Sequence, residues 1–405
     1  MEHQSMSSRA RRFIDAIVIA VSVLGALAGC AASTPVDQGA APERLATDIR
    51  ESVLRVPAAV FDAFGNKLSA DLLVTTYRPP GPGPFPLVVI SHGRSVKGRA
   101  DYKRPRFESA ARFFVRKGFA VAVPLRIGYG ELAAVGDPES SLRCDSPRYD
   151  VPAKVAAEQI AAVVKAITAS EDIDAHRVVL VGQSVGGFAT IAATAVHIDG
   201  VVAAIDFAGG HGGDPDQHAG EPCGTAQLRR SFADFGRRAA QGGHAVPTLW
   251  VFTENDRYFS PRYQKQWSET YRDAGGLVET RLMPAFGSDG HQLFGQGNDI
   301  WQPLVDEFLK PLGFTTPGVV AVPAARDGVA VDDETALPQS SLLSGYRKFL
   351  AAKEPRAFAT DGSHWGYASG DDAPSRALAF CERKAEADAP CRLYAVDHAV
   401  VWKQP

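Results

Sequence analysis

Ser184 sits in the run Gly182-Gln183-Ser184-Val185-Gly186, with Gly187 directly after it. A serine hydroxyl becomes a useful nucleophile only when a base takes its proton and a third group orients that base. The pattern G-x-S-x-G marks a sharp strand-to-helix turn in which a strained backbone lifts the hydroxyl above the end of a sheet. Side chains two residues to either side would collide there, which accounts for Gly182 and Gly186. In sheets built round such a turn the chain order is serine, acid, histidine. Of the ten histidines, His92 and His176 precede the serine, and His364 and His398 fall near the carboxyl terminus. His291, in the glycine-rich stretch "FGSDGHQLFG", follows the last plausible strand and is the expected base. Asp256, in "TLWVFTENDRYF", is the expected acid, with Asp206 at the end of "VVAAID" and Glu254 as alternatives. The Val185 N–H, next to the nucleophile, is one expected donor to an oxyanion.

These residues need a sheet to hold them. "VETRLMP" (278–284) reads as the last plausible strand, and "LVVIS" (87–91), "AVAVP" (120–124), "VVLVG" (178–182), "VVAAID" (201–206) and "TLWVF" (248–252) are short apolar runs. Their lack of alternation predicts strands buried on both faces, as in a parallel sheet. Amphipathic stretches at 151–170 and 261–276 lie between them, the second with Pro261 at its start and glycines at its end. Strand and helix in alternation predict an α/β fold with a mostly parallel central sheet flanked by helices. "ESVLRVPAAVFDA" and "DLLVTTYRPP" read as an antiparallel lead-in on one edge. The catalytic unit spans 51–312, a stretch without clear period at 313–340 reads as a linker, and 341–405 reads as a small α+β module. In that module the sequence predicts a helix near Tyr346–Lys353, another carrying Cys381, and one strand over "CRLYAVDHAVVW". The module resembles small carboxy-terminal units appended to other bacterial secreted proteins.

Composition narrows the partners. The 405 residues are 45% hydrophobic, and 43 basic against 46 acidic residues leave a net charge of -3 with no basic block. Nucleic acid is therefore not an expected ligand. At the amino terminus Arg9, Arg11 and Arg12 precede the apolar stretch "IVIAVSVLGALAG", which has the length of an export signal rather than a membrane span. "LAGC" resembles the lipobox of bacterial lipoproteins, which implies that Cys30 is lipidated and begins the mature chain. Export to a membrane-anchored, otherwise periplasmic or secreted, position follows, with residues 30–50 as a flexible tether. Setting Cys30 aside leaves Cys144, Cys223, Cys381 and Cys391, an even number suited to two disulfides in an oxidising compartment. The expected pairs are Cys144–Cys223 and Cys381–Cys391, although sequence leaves the connectivity open. His211, Asp214 and His218 in "GGHGGDPDQHAGEPCG" read as a polar glycine-rich loop rather than a metal site, since no helical spacing presents them together.

Taken together, Gly182–Gly186, Asp256, His291 and the dipeptide His92-Gly93 make the chain look like a secreted α/β-hydrolase. It resembles the dienelactone-hydrolase-like and cutinase-like serine esterases over about 260 residues. His92-Gly93 resembles the H-G of many lipases and esterases, which implies the N–H of Arg94 (or of Gly93) as the second oxyanion donor and His92 as a buttress. The resemblance implies carboxylic ester hydrolysis through an acyl-enzyme, without metal or cofactor, on a small or polymeric ester. Two departures are visible: dienelactone hydrolases carry cysteine where this chain has Ser184, and cutinase-like members carry histidine where it has Gln183. A peptidase on the same fold, or a non-catalytic surface protein that inherited it, are the competing readings.

Overall fold

The computed structural model describes residues 43–95, 98–314, 322–370, 373–382, 384–385 and 390–402. The expected leader, the lipidation residue Cys30 and most of the tether lie outside these residues.

A ten-residue strand β1 (Ser52–Phe61) turns back into β2 (Lys67–Tyr77). Strands and helices then alternate: β3 (Phe85–Ser91), α1 (Glu108–Arg116), β4 (Ala120–Leu125), α2 (Asp150–Thr168), β5 (Ile173–Gln183), α3 (Val185–Thr194) and β6 (Val201–Phe207). They continue through α4 (Thr225–Ala240), β7 (Pro247–Thr253), α5 (Pro261–Asp273), β8 (Leu277–Met283), α6 (Leu293–Gln296) and α7 (Asn298–Leu309). The eight strands form one sheet in the order β1-β2-β4-β3-β5-β6-β7-β8. Only β2 runs against the rest, pairing antiparallel with both β1 and β4, while β3 through β8 are mutually parallel. This is the strand order of the α/β-hydrolase fold, and the antiparallel lead-in lies on its edge as expected.

The unbroken apolar runs have a simple explanation in the sheet. Along β3, Leu87 and Val89 pack into one core while Val88 and Ile90 pack into the other. In β5, Val178 and Leu180 divide from Val179 and Val181 in the same way. One face is covered by α2 to α5, with Phe188, Phe232, Trp250 and Trp267 at its centre. The other is covered by α1 and α7, where Phe113, Phe114 and Trp301 meet Phe207. A strand with both faces buried has no polar side to alternate with.

The carboxy-terminal residues build a second, antiparallel sheet. Helix α8 (Leu343–Ala351) precedes the hairpin β9 (Arg356–Thr360) and β10 (Trp365–Ser369); α9 (Ala373–Glu382) leads to β11 (Arg392–Val396) and β12 (Ala399–Val400). The strand order is β10-β9-β11-β12. Tyr346 and Phe349 of α8 pack on Phe358 and Tyr394 at one face, while Ala377 and Cys381 of α9 pack on Ala359 and Leu393 at the other. Two expectations change here. The single strand expected over "CRLYAVDHAVVW" is a hairpin, because Asp397 takes φ 50° and turns the chain so that Val396 pairs with Ala399. The stretch expected to be a linker is partly held: Arg326 N–H donates to the Val400 carbonyl, and Ala330 bridges to Ala399.

Cys144 is bonded to Cys223, joining the β4–α2 loop to the β6–α4 loop, and Cys381 is bonded to Cys391. The first closes a loop 79 residues long. On chain-entropy grounds its removal (Cys144→Ser with Cys223→Ser) lowers unfolding stability by about 4–5 kcal/mol, against ~3 kcal/mol for the shorter loop. Non-reducing peptide mapping should recover these two pairs, and urea unfolding of each double variant should rank them in that order.

Candidate active site

The elbow is built by close approach. A Cβ at Gly182 would collide with the Gly186 carbonyl, and one at Gly186 with the Ser91 and His92 carbonyls at the end of β3. Strand β5, the start of α3 and the end of β3 therefore touch through backbone alone. Ser184, at the turn between β5 and α3, takes φ 59° and ψ −125°. A non-glycine residue held there costs on the order of 1–3 kcal/mol, which the surroundings must overcome. Those surroundings are specific: Ser184 N–H donates to the Phe207 carbonyl at 2.9 Å, and its own carbonyl accepts from Gly210 N–H at 3.2 Å. The residue is left 7% exposed.

Asp256 and His291 come from the loops after β7 and β8, and the structure brings them together. His291 Nδ1 donates to the Asp256 carboxylate, at 3.0 Å from Oδ2 and 3.1 Å from Oδ1. Both side chains are buried. The carboxylate is fixed by three further donors: the Tyr258 N–H at 2.8 Å, the Phe259 N–H at 2.9 Å and the Gln264 Nε2 at 3.1 Å. Four hydrogen bonds leave it little freedom to rotate. The Tyr258 ring stacks on the imidazole with centroids 4.1 Å apart, and Phe259 meets it edge-on. Asp289 ties the two loops by accepting from the His291 N–H at 3.0 Å and the Arg257 N–H at 3.1 Å. Gln183, beside the nucleophile, donates from its amide to the His291 carbonyl at 2.7 Å. That bond holds the histidine turn against the elbow.

With Nδ1–H committed to Asp256, Nε2 is the ring atom free to accept a proton. Among the described residues the Ser184 hydroxyl has no hydrogen-bond partner. Serine–histidine bonds of this type are often long without substrate and tighten when it binds. Val185 N–H, the first of α3, has no intrahelical acceptor. Arg94 N–H makes no hydrogen bond among the described residues. The preceding Gly93 faces Ser184: a Cβ there would stand 3.2 Å from the Ser184 Cβ and 3.7 Å from its hydroxyl.

The other candidates lie elsewhere. Asp206, at the end of β6, is fully buried against Gly187 and Gly209 and makes no bond to His291. Burial pushes its carboxyl well above the carboxylate range; the Gly209 N–H offsets this only in part, and the nearby Asp256 charge adds to it. Glu254 is exposed. His92 is fully buried; its Nδ1 donates to the Gly93 carbonyl at 2.7 Å and its Nε2 accepts from the Arg126 N–H at 3.2 Å. Burial, and then the Arg126 charge, hold it well below the usual histidine range, so it is a neutral brace. His211 contacts the Glu139 carbonyl at 3.1 Å, and burial lowers it to about 4. Asp214 caps its own turn, accepting from the Asp216 and Gln217 N–H groups. His218 Nε2 lies 4.0 Å from Cys223 Sγ, whose sulfur is held in the disulfide. Sequence reasoning passed over Gln183, Tyr258 and Gln264. Only Gln183 carried a signal, as the polar residue inside the serine motif.

No family model and no curated protein matches the chain. Solved structures do resemble it. The Pyrococcus furiosus esterase Pf2001 is 14% identical, with 67% of this chain and 95% of that one covered and a TM-score of 0.42. The Est2 esterase of Thermogutta terrifontis is 18% identical, covering 62% and 92% with a TM-score of 0.40. A Mycobacterium tuberculosis puromycin-hydrolyzing peptidase is also 18% identical, covering 65% of this chain and 41% of that one with a TM-score of 0.43.

For a Ser184–His291–Asp256 triad, the pairing of His291 with Asp256 rather than Asp206 predicts different kinetics for two variants. Asp256→Asn leaves the imidazole facing an amide and lowers kcat by about 10⁴, the size expected when the wrong tautomer is held. Asp206→Asn changes a buried group that makes no bond to His291 and leaves kcat within about threefold. Steady-state kinetics of the two purified variants on one ester check both statements.

Proposed function

We propose that the chain is a serine hydrolase of carboxylic esters, with Ser184 as nucleophile, His291 as base and then acid, and Asp256 as its orienting carboxylate. The observation that carries this reading is the bond from His291 Nδ1 shared between the two Asp256 oxygens, with the histidine turn bonded to Gln183, the residue beside Ser184. The Ser184 oxygen attacks the ester carbonyl carbon while His291 Nε2 takes its proton. Negative charge moves to the carbonyl oxygen, where the Val185 and Arg94 N–H groups receive it. On collapse the carbon–oxygen bond to the leaving alcohol breaks, and His291 returns the proton to that oxygen. Water then attacks the acyl-enzyme by the same path, releasing the acid and restoring Ser184.

The same reading puts the enzyme outside the cytoplasm, held by lipid on Cys30. Two disulfides fit an oxidising compartment, and among the described residues no helix is long and apolar enough to cross a membrane. The residues from 341 onward are read as an accessory module without catalytic groups.

A fluorophosphonate probe should label the protein at one site, and Ser184→Ala should abolish labelling while leaving the melting temperature within a few degrees. Hydrolysis measured across p-nitrophenyl esters of increasing chain length, a polyester film and blocked peptides should show ester turnover. Cleavage of peptides alone would replace the esterase with the peptidase, and a wild-type protein inert to the probe would leave a surface protein without this chemistry.

A further inference from the structure

The turn that carries Arg94 N–H is gripped by charges that the reaction itself does not use. Arg126, at the end of β4, is fully buried, as is Glu139. Its guanidinium forks onto the Glu139 carboxylate at 2.6 Å and 3.1 Å. The same residue holds His92 at two points: its backbone N–H donates to the ring Nε2 at 3.2 Å, and its Nη2 donates to the His92 carbonyl at 2.9 Å. Tyr129 donates from its hydroxyl to Glu139 at 2.7 Å and accepts from Arg94 Nη1 at 3.3 Å. Arg94 is in turn forked onto Asp137 at 2.9 Å and 2.6 Å.

Burying an ion pair is expensive, and apolar residues of similar volume commonly fill such a space with no loss of stability. What apolar residues cannot supply is direction. Here the direction falls on one short piece of backbone. Arg126 sets the His92 ring and the plane of its carbonyl, and the Arg94 side chain is anchored two residues later. The peptide between Gly93 and Arg94, whose N–H faces the developing charge in the reading above, is therefore fixed from both ends.

We propose that Arg126, oriented by Glu139, is the positioning residue of the oxyanion loop: it acts through His92 to aim the Arg94 N–H and does not touch substrate. This rests on the serine-esterase reading. Misaiming one oxyanion donor should cost about 10²–10³ in kcat. The binding of unreacted ester is unaffected.

The test uses Arg126→Gln, Glu139→Gln and the apolar double variant Arg126→Met/Glu139→Leu, the last because it leaves no charge buried alone. Each is assayed on a short-chain aryl ester and against two inhibitors: a trifluoromethyl ketone, which forms an oxyanion on Ser184, and its methyl ketone counterpart, which does not. The expected result is kcat lower by about 10²–10³, KM within twofold, trifluoromethyl ketone affinity reduced in parallel and methyl ketone affinity unchanged. The pH profile should keep its position, because His291 and Asp256 are untouched. A folded double variant with kcat near wild type overturns the proposal. So does a loss confined to KM and methyl ketone binding, which would make the network part of substrate binding. A double variant that fails to fold also overturns it, since the pair would then serve stability. Failure of the reading beneath it looks different: the wild-type protein itself would neither turn over esters nor react with a fluorophosphonate.

Discussion

The structure depends on one near-collision, the contact of the α3 amino terminus with the end of β3. No side chain fits between Gly186 and the carbonyls of Ser91 and His92. Because the two backbones touch, Ser184 and the loop bearing Gly93 and Arg94 are placed by the same contact. The strained conformation of Ser184 is part of that arrangement. Its backbone is held from two sides, by Phe207 and by Gly210, so the strain is carried by the β6 region rather than relaxed. A looser turn would cost less conformational energy and would not fix the hydroxyl relative to the donors opposite it.

Asp256 and His291 follow a different logic. They come from loops, and loops are positioned by what they bond to rather than by ladder hydrogen bonds. Four donors converge on the Asp256 carboxylate, Asp289 joins the two loops, and Gln183 bonds the histidine turn to the elbow. Three segments far apart in sequence thus behave as one body. Preorganisation of this type lets polar groups act without rearranging during a reaction.

The sheet was legible because burial on both faces leaves a mark in composition, and each of the five apolar runs lies within a strand of β3 to β7. Ser184, Asp256 and His291 could be singled out because each follows a strand, where the carboxyl ends of parallel strands gather side chains. The tertiary polar contacts left no such mark. Gln264 reaches Asp256 from α5 and Glu139 reaches Arg126 from a loop, and neither pairing has a period or a spacing that a reader of the chain could follow. The break at Asp397 was hidden for a related reason. The chemistry of "VDHA" tolerates both extension and a tight turn, and pairing between Val396 and Ala399 decides between them. Disulfide pairing was legible only from the small number of cysteines.

Asp206 gives the protein an unusual dependence on proton concentration. In an unfolded chain an aspartate releases its proton near pH ~4, whereas burial beneath α3 keeps this one protonated well above that point. Between those two values the native state must retain a proton that the unfolded chain has lost. Its stability therefore declines there as the medium becomes more alkaline, and the full deficit persists beyond the native pKa. Glu51 has the opposite sign. Burial opposes its ionisation, but bonds from Arg106, Ala46 and Arg104 outweigh that and hold it below the usual range. It supports the fold above the unfolded pKa, and that support is lost as acid drives the pH down through the native one. The two carboxyls thus pull the acid response in opposite directions, and the one beneath α3 makes mildly acidic surroundings gentler on this fold than its carboxylate ion pairs alone would.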